Sequence, residues 1–467
     1  MRETDVAFYP IARLGRLLRR RTLSSTELTR LFLARLERLG PRLNSVVTIL
    51  HDRALNEAKR ADAELARGHD RGPLHGIPYG AKDLLAARGG PTTWGAAPFK
   101  SRILNYDATA IKRLSAAGAV LSAKLAMVEL AGGMGYNQAD ASFSGPCRTP
   151  WNLRFWSGGS SSGSGSCVSA GLVPFALGSE TDGSIMNPAA YCGVSGLRPT
   201  YGRVSRHGAM ALCWTLDKVG PLCRNAEDTA LVLQAIAGYD AADPTSARES
   251  FEPNDSKGKR RWRIGTVASA YAKAQPEVRE NYERALGHLR NLGSIEPVQL
   301  PKARYGPMIG AIIAGEGGAA FRDIIQDGRV QQLSDPDGRR GGYAYLVAYA
   351  VDYVDAMRER RVVRAALDRI FEHVDVIVAP TYGSVAFPIG VPFDKAYPGV
   401  RSGPLITACN LAGVPAVSVP SGFGLHGLPT GIMFVARSFA ESDAIGLAAA
   451  FQAHTDWHRR RPAVALS

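Results

Sequence analysis

Short apolar strands and amphipathic helices alternate along much of the chain. An Ala-rich helix is predicted over 108–117, and Gly118 ends it before the apolar strand 119–122. The second half continues the alternation, with strands at 264–268, 374–380, 416–419 and 431–436 and helices at 277–291, 354–373 and 442–454. Such alternation is typical of α/β folds. We predict one large domain over residues 1–467, with a central mixed, mostly parallel twisted β-sheet covered by helices.

Two helix boundaries carry specific signals. Ser24 and Glu27 have the spacing of a capping box, in which each side chain bonds the backbone of the other, before apolar residues at helical spacing. The Gly40-Pro41 pair is expected to end that helix, because proline lacks the backbone N–H of a helix interior. Asp107 is expected to cap the helix that follows it.

Composition excludes several classes of protein. The 467 residues are 45% hydrophobic and 21% charged, which is enough apolar material for a sizeable core and excludes a disordered or fibrous chain. No uncharged apolar run approaches the roughly 18–20 residues of a membrane-spanning helix. The first ten residues, MRETDVAFYP, contain no apolar segment typical of a secretory signal, so we expect a cytoplasmic protein.

Metal and nucleic-acid sites are not predicted. The six cysteines form no C-x-x-C pair, and no histidine pattern has metal-ligand spacing, so we expect reduced thiols and no metal or cofactor. The formal net charge of +14 is concentrated in three short runs, at 19–21, 257–263 and 459–461. No RNA- or DNA-binding motif accompanies them, which favours solvated charge, although an anionic partner stays open. We expect a monomer or homodimer acting on a small molecule.

The segment 157–208 carries the chemistry. Two Gly/Ser-rich turns flank a helix-like run at 167–172 and a strand-like run at 173–177. Glycine at such turns lets several backbone N–H groups point into one concavity, which is what stabilisation of an oxyanion requires. Gly159–Gly163 also fits the G-x-S-x-G nucleophile elbow, but 150–156 is polar and unlike the strand that should precede an elbow. We therefore disfavour an α/β-hydrolase.

The whole segment instead resembles the signature of the amidase signature family. The matching pieces are GGSSSG at 158–163, GSETDGSI at 178–185, PA at 188–189 and GVSGLRPTYG at 193–202. Upstream, GPLHGIPYGAKD at 72–83 is similar to another family motif, and LDKVGPL, APT and NLAGVPA follow at 216–222, 379–381 and 410–416. The resemblance extends from about residue 10 to 463 and implies the family's fold, with a signature core at about 72–225.

The resemblance implies a Ser-Ser-Lys triad. It places the catalytic lysine at Lys82, the bridging serine, whose peptide bond is cis in the family, at Ser160, and the nucleophile at Ser184. A serine hydroxyl needs an adjacent base to take its proton, and lysine can be that base only where burial or nearby positive charge lowers its pKa. The implied oxyanion hole consists of the backbone N–H groups of Thr181, Asp182, Gly183 and Ser184.

The sequence departs from the family pattern at three positions. Asp182 stands where glycine is usual, and Glu180 where aspartate is usual. Met186 replaces an arginine that glutamine-handling members share, which favours an apolar substrate unless Arg322 or Arg340 folds over the pocket. By resemblance, we expect substrate contacts from Met134, Gly135, Tyr136 and Met186, and a variable pocket region at about 300–400.

Three functions remain open at this point. The first is a serine hydrolase that cleaves the C–N bond of neutral, apolar or aromatic amides through an acyl-enzyme, with anilides, carbamates (urethanes) or esters as further substrates. The alternative is the glutaminase-like component of a tRNA-dependent amidotransferase, its A-type subunit, because 196–206 is similar to that protein. A catalytically inactive scaffold is disfavoured by the complete Lys-Ser-Ser set.

Overall fold

The computed structural model describes residues 2–253, 261–267 and 271–466. Residues 257–260 of the second basic run and residue 268 of a predicted strand lie outside them. The strands are β1 (Val46–Ile49), β2 (Pro78–Lys82), β3 (Val120–Leu125), β4 (Phe175–Glu180), β5 (Ser195–Arg198), β6 (Lys218–Cys223), β7 (Trp262–Thr266), β8 (Gly293–Pro297), β9 (Val376–Pro380), β10 (Ala416–Phe423) and β11 (Pro429–Ala436).

These eleven strands form one sheet, in the order β1-β3-β2-β4-β6-β5-β10-β11-β9-β7-β8. The α/β fold with a mixed sheet is confirmed. The expectation of a mostly parallel sheet is wrong, since only β2 with β3, β2 with β4, β7 with β8 and β7 with β9 pair in parallel among the described strands. Antiparallel neighbours need only a reversing turn, such as the one between β10 and β11, whereas parallel neighbours need a crossover.

Helices cover this sheet. They are α1 (Glu3–Val6), α2 (Ile11–Arg19), α3 (Ser25–Leu43), α4 (His51–Ala66), α5 (Thr109–Ala116), α6 (Ser162–Ser169), α7 (Met186–Cys192), α8 (Ala226–Ile236), α9 (Pro276–Arg290), α10 (Tyr305–Ala320), α11 (Arg322–Gln326), α12 (Pro336–Tyr345), α13 (Ala350–His373), α14 (Phe393–Ala396), α15 (Leu405–Ala412) and α16 (Glu441–Ala453). The central strands β2 to β6 have no exposed residue, as expected for a sheet covered on both faces.

Two of the predicted helix boundaries differ in the structure. The capping box between Ser24 and Glu27 is present, but α3 passes through Pro41 and ends only at Leu43. Asp107 does not cap α5; its carboxylate pairs with Arg53 at 2.8 Å and accepts a hydrogen bond from the backbone N–H of residue 88. Both predictions were wrong, and for Asp107 the reason is a partner 54 residues earlier in the chain, which binds the carboxylate that was expected to cap α5.

The parallel pairing of β2 with its neighbours determines where the predicted catalytic residues lie. Tyr79 and Ala81 of β2 lie opposite Phe175 and Leu177 of β4. The carboxyl ends of adjacent parallel strands meet at one edge of a sheet, so Lys82 at the end of β2 lies level with the end of β4. The second Gly/Ser-rich segment forms the turn after β4. The predicted site residues therefore lie together at this edge of the sheet.

Candidate active site

Lys82 lies among hydroxyl groups in the protein interior. Its Nζ is 2.7 Å from the Oγ of Ser160 and 2.9 Å from the Oγ of Ser179. Lys82 and Ser160 have no exposed surface, whereas Ser184 retains 8%. The predicted lysine and bridging serine are therefore in direct contact, and the predicted nucleophile is the one of the three that retains exposed surface.

Burial changes the protonation of Lys82. Removal of the side chain from water disfavours its charged form and lowers its pKa to about 7, although the carboxylates of Asp217 and Glu180 act in the opposite direction. No carboxylate pairs with Lys82 among the described ion pairs. Near neutral pH, a large fraction of this amine is therefore neutral and has a lone pair that can accept a proton.

The turn that carries Ser160 is held from several sides. The Gly159–Ser160 peptide bond is cis, and the N–H of Gly159 donates to the Oδ1 of Asn187 at 2.8 Å. A Cβ on Gly159 would meet the ring of Trp156 at 2.7 Å, so no larger residue fits this position. The N–H of Ser161 donates to the carbonyl of Ser184 at 3.2 Å, which brings the two serine-bearing turns against each other.

Glu180 anchors the turn that carries Ser184. Its Oε2 accepts hydrogen bonds from the backbone N–H groups of Ile185 and Met186 at 2.8 and 2.9 Å, at the start of α7. Its Oε1 pairs with Arg198 of β5 at 2.9 Å and accepts from Asn410 of α15. Complete burial would raise the pKa of the Glu180 carboxyl, but the charge of Arg198 and these hydrogen bonds keep it below its ordinary value.

The neighbouring residues of this turn are also fixed through their side chains. Thr181 donates its hydroxyl to Asp217 at 2.6 Å. The Asp182 carboxylate accepts from Thr407 at 3.1 Å and from Asn410 at 3.3 Å, so it is held by α15. Burial, with Glu180 nearby, raises the pKa of Asp182 to about 6. The departure from glycine at position 182 is thus accommodated by two polar partners on α15.

Gly183 occupies a position that a larger residue could not. Its φ is +85°, in the left-handed region, and a Cβ there would collide with the hydroxyl of Tyr382. Burial, with Asp182 and Glu180 nearby, raises the pKa of the Tyr382 phenol well above its ordinary value. A protonated hydroxyl therefore lies over the predicted oxyanion turn.

A cavity of about 380 Å³ opens beside this turn. Ser179, Thr181 and Lys218 form its polar inner wall, and Met210 and Leu212 belong to its larger apolar part. Arg206 also lines it, but its guanidinium pairs with Asp243 at 3.3 Å and bonds Thr245 and the carbonyl of Trp214. Lys218 is buried, and its Nζ donates to Asn410 at 2.6 Å.

The predicted substrate-contact residues lie in two segments, at 134–136 and at 186. Met134 is buried against Gly342, Gly135 lies near Asp337, and Tyr136 packs edge-on against Trp156 and Phe393. Met186 has no exposed surface and belongs to the hydrophobic core. The Met186 side chain therefore packs in the core and does not line the cavity. The residues that line the cavity are the basis for inferring which substrate the chain prefers. Arg322 and Arg340 are both exposed, and neither lines the cavity.

Four residues with direct contacts to the site were not singled out from the sequence. They are Ser179, Asn187, Lys218 and Asn410. Ser179 and Lys218 lie within the segments 178–185 and 216–222, so their positions beside family motifs were the available signal. Asn410 likewise begins the motif segment 410–416, but only the folded chain shows that α15 contacts the turn after β4.

Comparison of the chain with known proteins identifies its family. A family model described as Amidase matches residues 27–444. The chain belongs to the amidase signature family. The resemblance noted in the sequence is thereby confirmed, and with it an enzyme family that acts on C–N bonds.

The relatives and structural neighbours of this chain bear names of different activities. The chain is 37% identical to the A-type subunit of the glutamyl-tRNA(Gln) amidotransferase from Methylococcus capsulatus, over 97% of this chain and 98% of that protein. The peptide amidase of Stenotrophomonas maltophilia superposes with a TM-score of 0.87 at 32% identity, covering 98% and 99% of the two chains. A bacterial aryl acylamidase, at 23% identity and a TM-score of 0.87 over 97% and 98%, shows the same fold.

Other kinds of site find little support in the described ranges. They contain no group of three or more His, Cys, Asp or Glu side chains that could hold a metal ion. None of the helices described is both long and apolar enough to cross a membrane. All six cysteines are unpaired and buried.

Proposed function

We propose that this amidase is a serine hydrolase that cleaves neutral, apolar or aromatic amides, with Lys82, Ser160 and Ser184 as its catalytic residues. Anilides, carbamates and esters are further candidate substrates, because they present a similar carbonyl. The direct contact between a buried, partly neutral Lys82 and Ser160 supports the relay. The accessible fraction of Ser184 supports its role as nucleophile.

In this mechanism the Ser184 Oγ attacks the carbonyl carbon while its proton passes to Ser160, and the Ser160 proton passes to Lys82. The negative charge that develops on the carbonyl oxygen is stabilised by backbone N–H groups of the turn at 181–184. The C–N bond then breaks, and the leaving amine takes the proton from Lys82 through Ser160. Water attacks the resulting acyl-enzyme by the same route, which releases the acid and restores Ser184.

The wall of the cavity supports a neutral substrate. Its surface is mostly apolar, and the cations that line it have other partners: Arg206 pairs with Asp243, and Lys218 donates to Asn410. A carboxylate that enters such a pocket loses hydration without gaining a free cation, at a cost of several kcal/mol. A difference of about 3 kcal/mol corresponds to roughly a hundredfold in specificity.

The second candidate is the glutaminase component of an amidotransferase. The similarity to amidotransferase proteins of the A type over nearly the whole chain favours it. On this alternative, glutamine is the preferred amide, and ammonia is passed to a second active site.

The decisive experiment compares kcat/KM of the purified chain for a neutral acyl anilide and for glutamine, with Ser184→Ala as the background control. We expect a preference for the anilide of at least about a hundredfold. Equal values, or a preference for glutamine, would reject the neutral-amide proposal in favour of the amidotransferase component. Equal rates in Ser184→Ala and the unaltered chain would reject the proposed nucleophile.

A further inference from the structure

A second cavity lies where the amino-terminal segment of the chain contacts the segment near its carboxyl end. None of its lining residues belongs to the two serine-bearing turns. It measures about 450 Å³, within the roughly 300–1,000 Å³ common for small-molecule sites. Arg13, Arg224, Arg459 and Arg461 line it, together with the single carboxylate of Glu227. Arg461 pairs with Asp5 outside the lining, so three guanidinium groups stand against the one carboxylate of Glu227 and the cavity is positive.

Arg224 is the buried member of this set. It is 6% exposed, and its guanidinium donates to the carbonyl groups of Ser169, His458 and Arg460 at 2.7–3.2 Å. These carbonyls satisfy N–H donors but carry no net charge. Burial, with repulsion from Arg461, lowers the pKa of Arg224 to about 10. A buried cation with only neutral partners is unfavourable until an anion approaches it.

Of the other three arginines, two have no carboxylate partner among the described residues and can contact a ligand. Arg461 is paired with Asp5 at 2.9 Å, on the side of α1. Arg13 stacks on the ring of Tyr9, with its guanidinium carbon 3.5 Å from the ring centroid, and has no carboxylate partner among the described residues. Arg459 is exposed and likewise unpaired in the described ranges. Two guanidinium groups are thus available at the rim, above the buried one.

The amino-terminal ends of two helices border the cavity but add little positive potential. Arg13 lies in the first turn of α2, and Asn225 and Glu227 lie at the start of α8. The N–H of Ile11 already donates to the Asp228 carboxylate, and the N–H of Asp228 donates to Asn225, so the positive charge of the cavity comes from its arginines. His458 also lines it, and burial lowers the pKa of this imidazole to about 4, so it stays neutral at physiological pH.

We propose that this cavity is a binding site for a phosphate-bearing small molecule, with Arg13, Arg224 and Arg459 as its ligands. Guanidinium groups present paired N–H donors that match the oxygens of a phosphate group. The proposal also gives a role to the basic run at 459–461, which the amide-cleaving site does not use. It does not depend on the proposed hydrolase activity.

The test is calorimetric titration of the purified chain with pyrophosphate, inorganic phosphate and glycerol 3-phosphate at constant ionic strength. We expect saturable binding of pyrophosphate, with a dissociation constant of about 1 mM or tighter. A response to glycerol 3-phosphate above that to inorganic phosphate would indicate a phosphate ester as the natural ligand, and the reverse would indicate the free anion. No saturable binding of any of the three would overturn the proposal.

Charge-reversal variants show where the anion binds. Arg459→Glu and Arg13→Glu alter exposed side chains and should each weaken pyrophosphate binding at least about tenfold. Arg20→Glu is the matched control, because it makes the same charge change at the far end of α2, about 10 Å along the helix axis from Arg13. Equal weakening by Arg20→Glu would show a non-specific charge effect and would refute the site.

Discussion

The protonation of Lys82 leads to a quantitative prediction about pH. At pH 7.5, a lysine with the ordinary pKa of 10.5 is neutral in about one molecule in a thousand, whereas one with a pKa of about 7 is neutral in about three quarters. Burial thus increases the population of the proposed base several hundredfold at this pH, equivalent to about 4 kcal/mol. Because only the deprotonated amine accepts a proton, activity should be lost as pH falls through about 7.

The assay is kcat/KM for a neutral anilide between pH 5 and 9, since this ratio reports the ionisations of the free enzyme. We expect a roughly 50-fold decrease between pH 7 and pH 5. Lys218 provides the critical control, because burial and the charge of Arg198 also lower its pKa to about 7. The acid limb should persist in Lys218→Gln, while Lys82→Ala should be nearly inactive over the whole range.

Two results would refute this reasoning. A profile that is flat, or higher at pH 5 than at pH 7, would mean that a different group accepts the proton. If the acid limb disappears in Lys218→Gln, the group that ionises near pH 7 is Lys218 and not Lys82. The integrity of each variant is checked by its thermal unfolding midpoint, so that loss of activity is not confused with loss of fold.

Two further predictions concern the turn after β4. Ser184→Ala should abolish labelling by a serine-directed fluorophosphonate, measured by intact-mass spectrometry; labelling that persists would place the nucleophile elsewhere. Gly183→Ala should lower kcat by about a hundredfold or more, because its φ of +85° and the collision with Tyr382 displace the backbone donors. Unchanged turnover in Gly183→Ala would show that this part of the turn does not serve the reaction.

Local sequence patterns predicted the elements of the fold better than their pairing. The capping box at Ser24 depends on residues three apart, and so it is recognisable without any tertiary information. The direction of the strands depends on which strands become neighbours, and periodicity does not encode that choice. The same limit explains Asp107, whose carboxylate meets Arg53, 54 residues earlier in the chain, instead of capping the adjacent helix.

In the candidate site too, residues within contiguous motifs could be predicted, whereas tertiary surroundings could not. The motif positions of Lys82 and Ser160 could be carried over because each lies within a contiguous, recognisable run, and the structure brings the two side chains together. Met186 is interpreted from its motif position and its apolar side chain as a substrate contact, and the structure places that side chain in the core. Whether a side chain at the start of α7 faces a cavity or the core depends on neighbours that the local sequence does not specify.

The contacts of Asn410 have a consequence for the biosynthesis of the enzyme. This side chain bonds Glu180, Asp182 and Lys218, which precede it by 230, 228 and 192 residues. A ribosome releases the proposed catalytic residues long before it releases α15. We therefore expect the growing chain to hold the proposed nucleophile in an unsupported turn until most of the polypeptide has emerged, so that the proposed activity begins only once the molecule is nearly complete.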